Sequence, residues 1–97
     1  MRTILWTKQA RSDLSAIHAF ITQDSPHFAS VVVAQLIGAA AQLAAFPQSG
    51  RTVSEFDDPL VRELVRQPYR IVYRLVGHDQ VHILTVHHGA QRFPADI

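Results

Sequence analysis

Cysteine is absent from the 97 residues. That removes a disulfide framework, a thiol nucleophile and a zinc–thiolate centre from consideration. A charge excess is missing too: nine Lys and Arg against eight Asp and Glu leave a formal charge of +1. Proteins that hold phosphate backbones by charge alone are usually far more basic, so direct DNA binding is not expected. No apolar run is expected to approach the ~20 residues of a membrane span. The opening stretch from Met1 to Lys8 has no apolar segment of signal-peptide length. A cytoplasmic protein, with no membrane partner, is the simplest expectation.

What is present supports one folded unit over residues 1–97. Hydrophobic residues make up 47% of the chain and charged ones 18%, which suits a packed core rather than a disordered chain. At this length the core must hold without covalent staples, or with help from a partner chain.

Residues 2–7 are β-branched and aromatic, which predicts a short strand. Thr7 is a plausible N-cap for a helix to about Gln23, with Ala10, Leu14, Ile17 and Ile21 on one face. Arg11, Asp13, Ser15 and His18 fall off that stripe. Ser25 can cap a second helix, with Pro26 at its first position. That helix is expected from about Pro26 to Phe46, its apolar positions being Phe28, Val31, Val32, Leu36, Ala39, Ala40, Leu43 and Phe46. No charged residue lies between His27 and Arg51. A helix this apolar must be covered over more than half its surface. It is either an ordinary central core helix or one whose covering is completed by a partner.

Pro47-Gln-Ser-Gly50 ends the helix with turn chemistry, and residues 51–58 read as a polar loop. Strands are expected at Leu60–Arg66, Tyr69–Val76 and Val81–His87, the last two joined by a hairpin at residues 77–80. The order is β-α-α-β-β-β: an α+β fold, with a helical hairpin packed on a small, largely antiparallel sheet.

Arg62, Arg66, Arg70 and Arg74 recur at steps of four. In a strand Arg70 and Arg74 share a face, opposite Tyr69, Ile71, Tyr73 and Leu75. They would form an anion-facing patch, or a solvated face neutralised by Glu63, Asp57 and Asp58. Six histidines invite a metal, but the spacing argues against one. His87 and His88 point to opposite faces of a strand, and neither a His-x-His pair nor a His-Glu-x-x-His motif occurs. No cofactor is expected. Glu55, Glu63 and His87 or His88, with Arg70 as a clamp, supply the ingredients of metal-free RNA cleavage.

Several segments together resemble the ParE/RelE superfamily of toxins from bacterial type II toxin–antitoxin pairs. These are Trp6-Thr…Ala10-Arg-Ser-Asp13-Leu14…Ile17…Phe20-Ile21, and Leu43-Ala-Ala-Phe46-Pro47-Gln-Ser-Gly50-Arg51. With them go Val61-Arg62-Glu63-Leu64-Val65…Pro68-Tyr69-Arg70-Ile71-Val72-Tyr73-Arg74 and Ile83-Leu84-Thr85-Val86-His87-His88-Gly89-Ala90…Arg92. The Arg-Glu-Leu run and the His-Gly-Ala…Arg ending look closer to ParE than to RelE. The resemblance implies a protein inhibitor of DNA gyrase rather than an enzyme, neutralised by the wrapping tail of a cognate antitoxin. Leu36, Leu43, Arg62, Arg70, Tyr73 and Arg74 are the implied antitoxin-binding positions, and Arg92 and Phe93 the implied target-binding ones. The alternatives are a RelE-like ribosome-dependent messenger-RNA nuclease using Arg70, His87, His88 and Glu63, or an inactive member that only binds antitoxin.

Overall fold

The computed structural model describes residues 1–89. Strand β1 (Thr3–Trp6) leads into helix α1 (Lys8–Thr22), a tight turn and helix α2 (Pro26–Ala41), which a single 3-10 turn extends over Gln42–Ala44. Four strands follow: β2 (Arg51–Thr52), β3 (Val61–Arg66), β4 (Tyr69–Val76) and β5 (Gln80–His88). The sheet order is β1-β5-β4-β3-β2. β1 runs parallel to β5, and every other pairing is antiparallel.

Local chemistry explains the boundaries. Thr7 is extended, and its hydroxyl oxygen accepts from the Ala10 N–H at 3.2 Å, capping α1. The same hydroxyl donates to the Ile83 carbonyl at 2.7 Å, so one residue both starts the helix and ties it to β5. Ser25 caps α2 through the Phe28 N–H at 3.1 Å, with Pro26 at the first helical position, where its missing N–H costs nothing. Gly77 opens the β4–β5 hairpin at φ +59°, a left-handed conformation that an L side chain rarely adopts.

The two faces of the sheet carry different cores. Toward the helices, Leu64, Ile71, Tyr73, Leu75, Val81, Ile83 and Val86 pack with Ala10, Val32, Leu36, Ala39, Ala40 and Leu43. Leu14, Ile17 and Ile21 pack at the edge of this core, as their helical stripe requires. On the outer face, the segment between β2 and β3 folds back so that Val53 and Phe56 pack on Val61, Val72 and Leu84.

Three expectations need correction. Residues 51–58 are not wholly loop, because Arg51 and Thr52 pair with Glu63 and Arg62 and add a fifth strand. A two-residue strand leaves no periodicity to read. The α-helix of α2 stops at Ala41, which leaves Phe46 beyond it, and both Phe28 and Phe46 are exposed rather than buried. Finally, the stretch Pro26–Ala44 is 19 residues, long and apolar enough by composition to cross a membrane. Its buried side instead packs on the sheet as core.

Asp13, off the apolar stripe, has an unforeseen structural task. β1 pairs with β5 only as far as Ile83, so beyond it one edge of β5 has no strand partner among the described residues. There the Asp13 carboxylate accepts from the Thr85 hydroxyl and from the Val86 N–H, the latter at 3.0 Å. Thr85 is fully buried. Asp13→Ala is expected to cost on the order of 2–3 kcal/mol, because it strands two donors away from water. Urea unfolding measures this, and Asp13→Asn should lose much less. A loss below about 0.5 kcal/mol in the alanine variant would mean that water satisfies both donors.

Candidate functional site

Arg70 and Arg74 share a face as expected, and acids of the chain neutralise both, while Arg62 and Arg66 lie on the other face. Alternation along β3 and β4, held by their antiparallel register, sends Arg70 and Arg74 to the outer face and Arg62 and Arg66 to the helix side. On the outer face Arg70 is an organised centre. Its Nε donates to Glu63 Oε1, and its Nη2 lies 3.8 Å from Glu55 Oε2. The other Glu63 oxygen accepts from Arg51 Nε at 3.1 Å. Arg74 Nη2 stands 3.3 Å from Asp58 Oδ2. Arg51, Glu55, Glu63 and Arg70 rim a depression of about 630 Å³, with Thr52, Ser54 and Gly89 among its other walls.

Glu63 is only 4% exposed. Burial alone would raise its carboxyl, but hydrogen bonds and charge from Arg70 and then Arg51 outweigh burial and hold it below the usual carboxylate range. It is therefore an ionised acceptor at neutral pH, with no proton to give. His87 lies directly across from Arg70 on β5 and is 5% exposed. Burial, then the Arg70 charge, push its imidazole below its ordinary value, so it is neutral at pH 7. His88 pairs with Tyr69 and sits edge-on to the Tyr69 ring, 5.9 Å between centroids, on the helix side. Of the proposed nuclease set, Arg70, Glu63 and His87 come together and His88 does not.

The implied antitoxin-binding positions divide as well. Leu43 and Tyr73 have no exposed surface and belong to the core. Burial raises the Tyr73 hydroxyl above its ordinary value, and that hydroxyl donates to the Pro47 carbonyl at 2.8 Å. It also accepts from the Gly50 N–H at 3.0 Å. Arg62 turns inward, its Nη1 donating to the Gly50 carbonyl at 2.9 Å. Arg70 and Arg74 are already matched to acids of this chain. Leu36 is nearly buried, but it lies in an apolar groove of about 680 Å³ between α2 and the β3–β4 turn. Phe28, Val32, Gly38 and Ala39 form the helical wall, and Arg66, Gln67, Pro68 and Tyr69 the other. Arg92 and Phe93 lie outside the described residues.

Sequence reasoning missed Arg51 as a second partner of Glu63, and Gly50 as the point where Tyr73 passes. Neither had a usable signal, since both depend on contacts across the sheet. It also missed the groove, although the exposed positions of an uncharged helix hinted at one.

A two-helix hairpin packed on one face of a five-stranded sheet is a fold shared with solved toxin–antitoxin systems. The chain superposes on a structure of the chromosomal ParDE system from P. aeruginosa with a TM-score of 0.72, at 27% identity over 91% of this chain and 96% of that one. It superposes on a structure of the RelBE2 toxin–antitoxin complex from Mycobacterium tuberculosis with a TM-score of 0.64, at 26% identity over 90% and 96%. Toxin RelE2 of Caulobacter vibrioides is 35% identical over 91 residues, covering 94% of this chain and 99% of that protein. The family model for the ParE toxin of the type II toxin–antitoxin system, parDE, matches residues 4–93. The chain belongs to this ParE toxin family.

Proposed function

We propose that this chain, acting as a single toxin domain in the cytoplasm, inhibits DNA gyrase by binding it and is neutralised by the tail of a cognate antitoxin. The observation that carries a binding rather than a cleaving role is the burial of Glu63 between Arg51 and Arg70. A cationic clamp for a developing phosphorane charge has to be available to the substrate. Here the Arg70 charge is already matched by Glu63 and Glu55. General acid–base chemistry also needs a proton donor and a proton acceptor placed on either side of the reacting bond. Glu63 is ionised, His87 is buried and His88 lies on the opposite face. The ParE-like ending of the sequence and the ParE family match support gyrase as the target.

The nuclease reading keeps one specific support. Arg70, Glu63 and His87 share a face, and relatives and neighbours include proteins named RelE2 and RelBE2. The antitoxin reading rests on the α2 groove, whose apolar floor and open length suit an amphipathic helix that folds as it binds.

Induction of the chain without antitoxin, with pulses of labelled thymidine and labelled methionine over the first minutes, tests the target. Thymidine incorporation is expected to fall first. An initial collapse of methionine incorporation would transfer the assignment to the nuclease and make Arg70 and His87 its catalytic candidates. If neither falls, the chain is an inactive member whose role is antitoxin binding.

A further inference from the structure

The arginines differ in what they touch. Arg51 and Arg70 share Glu63, Arg70 also faces Glu55, and Arg74 faces Asp58. Arg62 is turned inward to a carbonyl. Arg66 is exposed at the end of β3, and its Nη1 donates only to the neighbouring Val65 carbonyl, at 3.0 Å. No acid of the described residues lies within ion-pair distance of it. Arg66 is also the one charged side chain among the described residues lining the α2 groove, where the other lining residues able to hydrogen-bond through their side chains are glutamines and Tyr69.

We infer that Arg66 is a specificity residue of the antitoxin groove, reading an acidic side chain on an otherwise apolar amphipathic helix. The inference rests on the proposed role of that groove. From Phe28 to Gln42 the helical wall spans roughly 20 Å at ~1.5 Å per residue, enough for a partner helix of about four turns. Such a helix would set its apolar stripe against the exposed Phe28, over a floor at Val32, Leu36 and Ala39, and present one carboxylate toward the β3–β4 turn. Apolar contact there gives affinity to any amphipathic segment. A lone guanidinium at the wall selects a tail with an acid at the matching turn and rejects one with a basic residue there. The paired arginines of the outer face cannot make this selection without first breaking their own ion pairs.

The test uses the toxin complexed with the antitoxin encoded beside it. Arg66→Glu is expected to weaken the complex tenfold or more. Arg66→Gln should weaken it less and flatten its salt dependence, since screening acts on the charge alone. Replacing the tail's acids one at a time by arginine should restore binding to the Arg66→Glu toxin at one position. Gly38→Trp supplies the independent probe. A Cβ at Gly38 meets nothing within 4 Å, so a side chain can start there without a clash, and tryptophan is expected to occupy the groove that Gly38 lines. Thermal melts of the free variants establish that they are folded.

If Gly38→Trp abolishes binding while Arg66→Glu binds as the parent does, the groove stands and the role of Arg66 falls. Failure of every tail reversal to restore binding also overturns it. If neither variant affects binding, the tail docks elsewhere, and the groove reading falls together with the inference.

Discussion

Gly50→Ala is expected to lower the melting temperature of this chain by roughly 12–24 °C, the equivalent of about 3 kcal/mol in a domain of this size. A Cβ at position 50 would lie 2.5 Å from the Tyr73 hydroxyl oxygen and 2.6 Å from the Glu63 backbone carbonyl oxygen. No rotation of a flexible tip relieves a contact with backbone. Tyr73 is fully buried, and its hydroxyl is fixed between the Gly50 N–H and the Pro47 carbonyl. The methyl group must therefore displace the tyrosine, the β3 backbone or the chain that leads into β2. Each displacement also loosens the Arg62 contact with the Gly50 carbonyl. The control is Gly38→Ala, a glycine inside α2 whose Cβ would meet nothing. That change should raise the melting temperature by a few degrees, because alanine is the better helix former by ~0.5–1 kcal/mol. Parallel calorimetry of the two variants decides the matter. Equal shifts would mean that the approach at Gly50 relaxes freely.

Glu63→Ala is the second large effect, expected at about 2–4 kcal/mol. It leaves Arg70, with 18% of its side chain exposed, without its main counter-charge. The same residue predicts a pH dependence whose sign is fixed. The folded carboxyl titrates below its unfolded value of ~4.3, so the unfolded chain binds its proton first as pH falls. The stability contributed by Glu63 is therefore fully present above about pH 5. It is lost as the pH falls from there through the depressed folded value. Glu63→Gln should remove this part of the acid sensitivity while keeping the volume. Urea midpoints at pH 7 and pH 3 for the parent and the glutamine variant measure the difference. Identical acid losses in both would show that other carboxylates govern acid unfolding.

The elements that sequence patterning placed well are those whose local chemistry agrees with the tertiary fold. Thr7 and Ser25 act as caps where the start of each helix requires one, and β4 runs over the expected Tyr69–Val76. Alternation assigned Ile71, Tyr73 and Leu75 to one face and Arg70 and Arg74 to the other, and the core bears this out. What stayed hidden was decided by partners far away in the chain. Whether Arg70 and Arg74 stand as an open anion-facing patch or are neutralised by acids stayed open in the sequence, and register and loop contacts decided it by setting Glu63 and Asp58 beside them. Leu43 and Tyr73 were expected at a surface, yet both complete the core. Asp13 could be read only as lying off the apolar stripe of α1, because the β5 edge that needs its carboxylate lies 73 residues on.

That same wide separation has a consequence for how the toxin comes into being. β5, the last strand of the described residues, sits between β1, the first of them, and β4, and the Thr7–Ile83 hydrogen bond closes a span of 76 residues. Until β5 leaves the ribosome, β1 has no strand to join, β4 has an open edge, and the helical hairpin lacks part of the floor it packs on. Non-local pairing of this kind forms late and slowly. A nascent toxin therefore exposes its apolar α2 surface before it possesses a finished sheet. If the antitoxin docks on α2 as proposed, one already in the cell would meet that surface while the chain is still being made, and capture would precede completion of the fold.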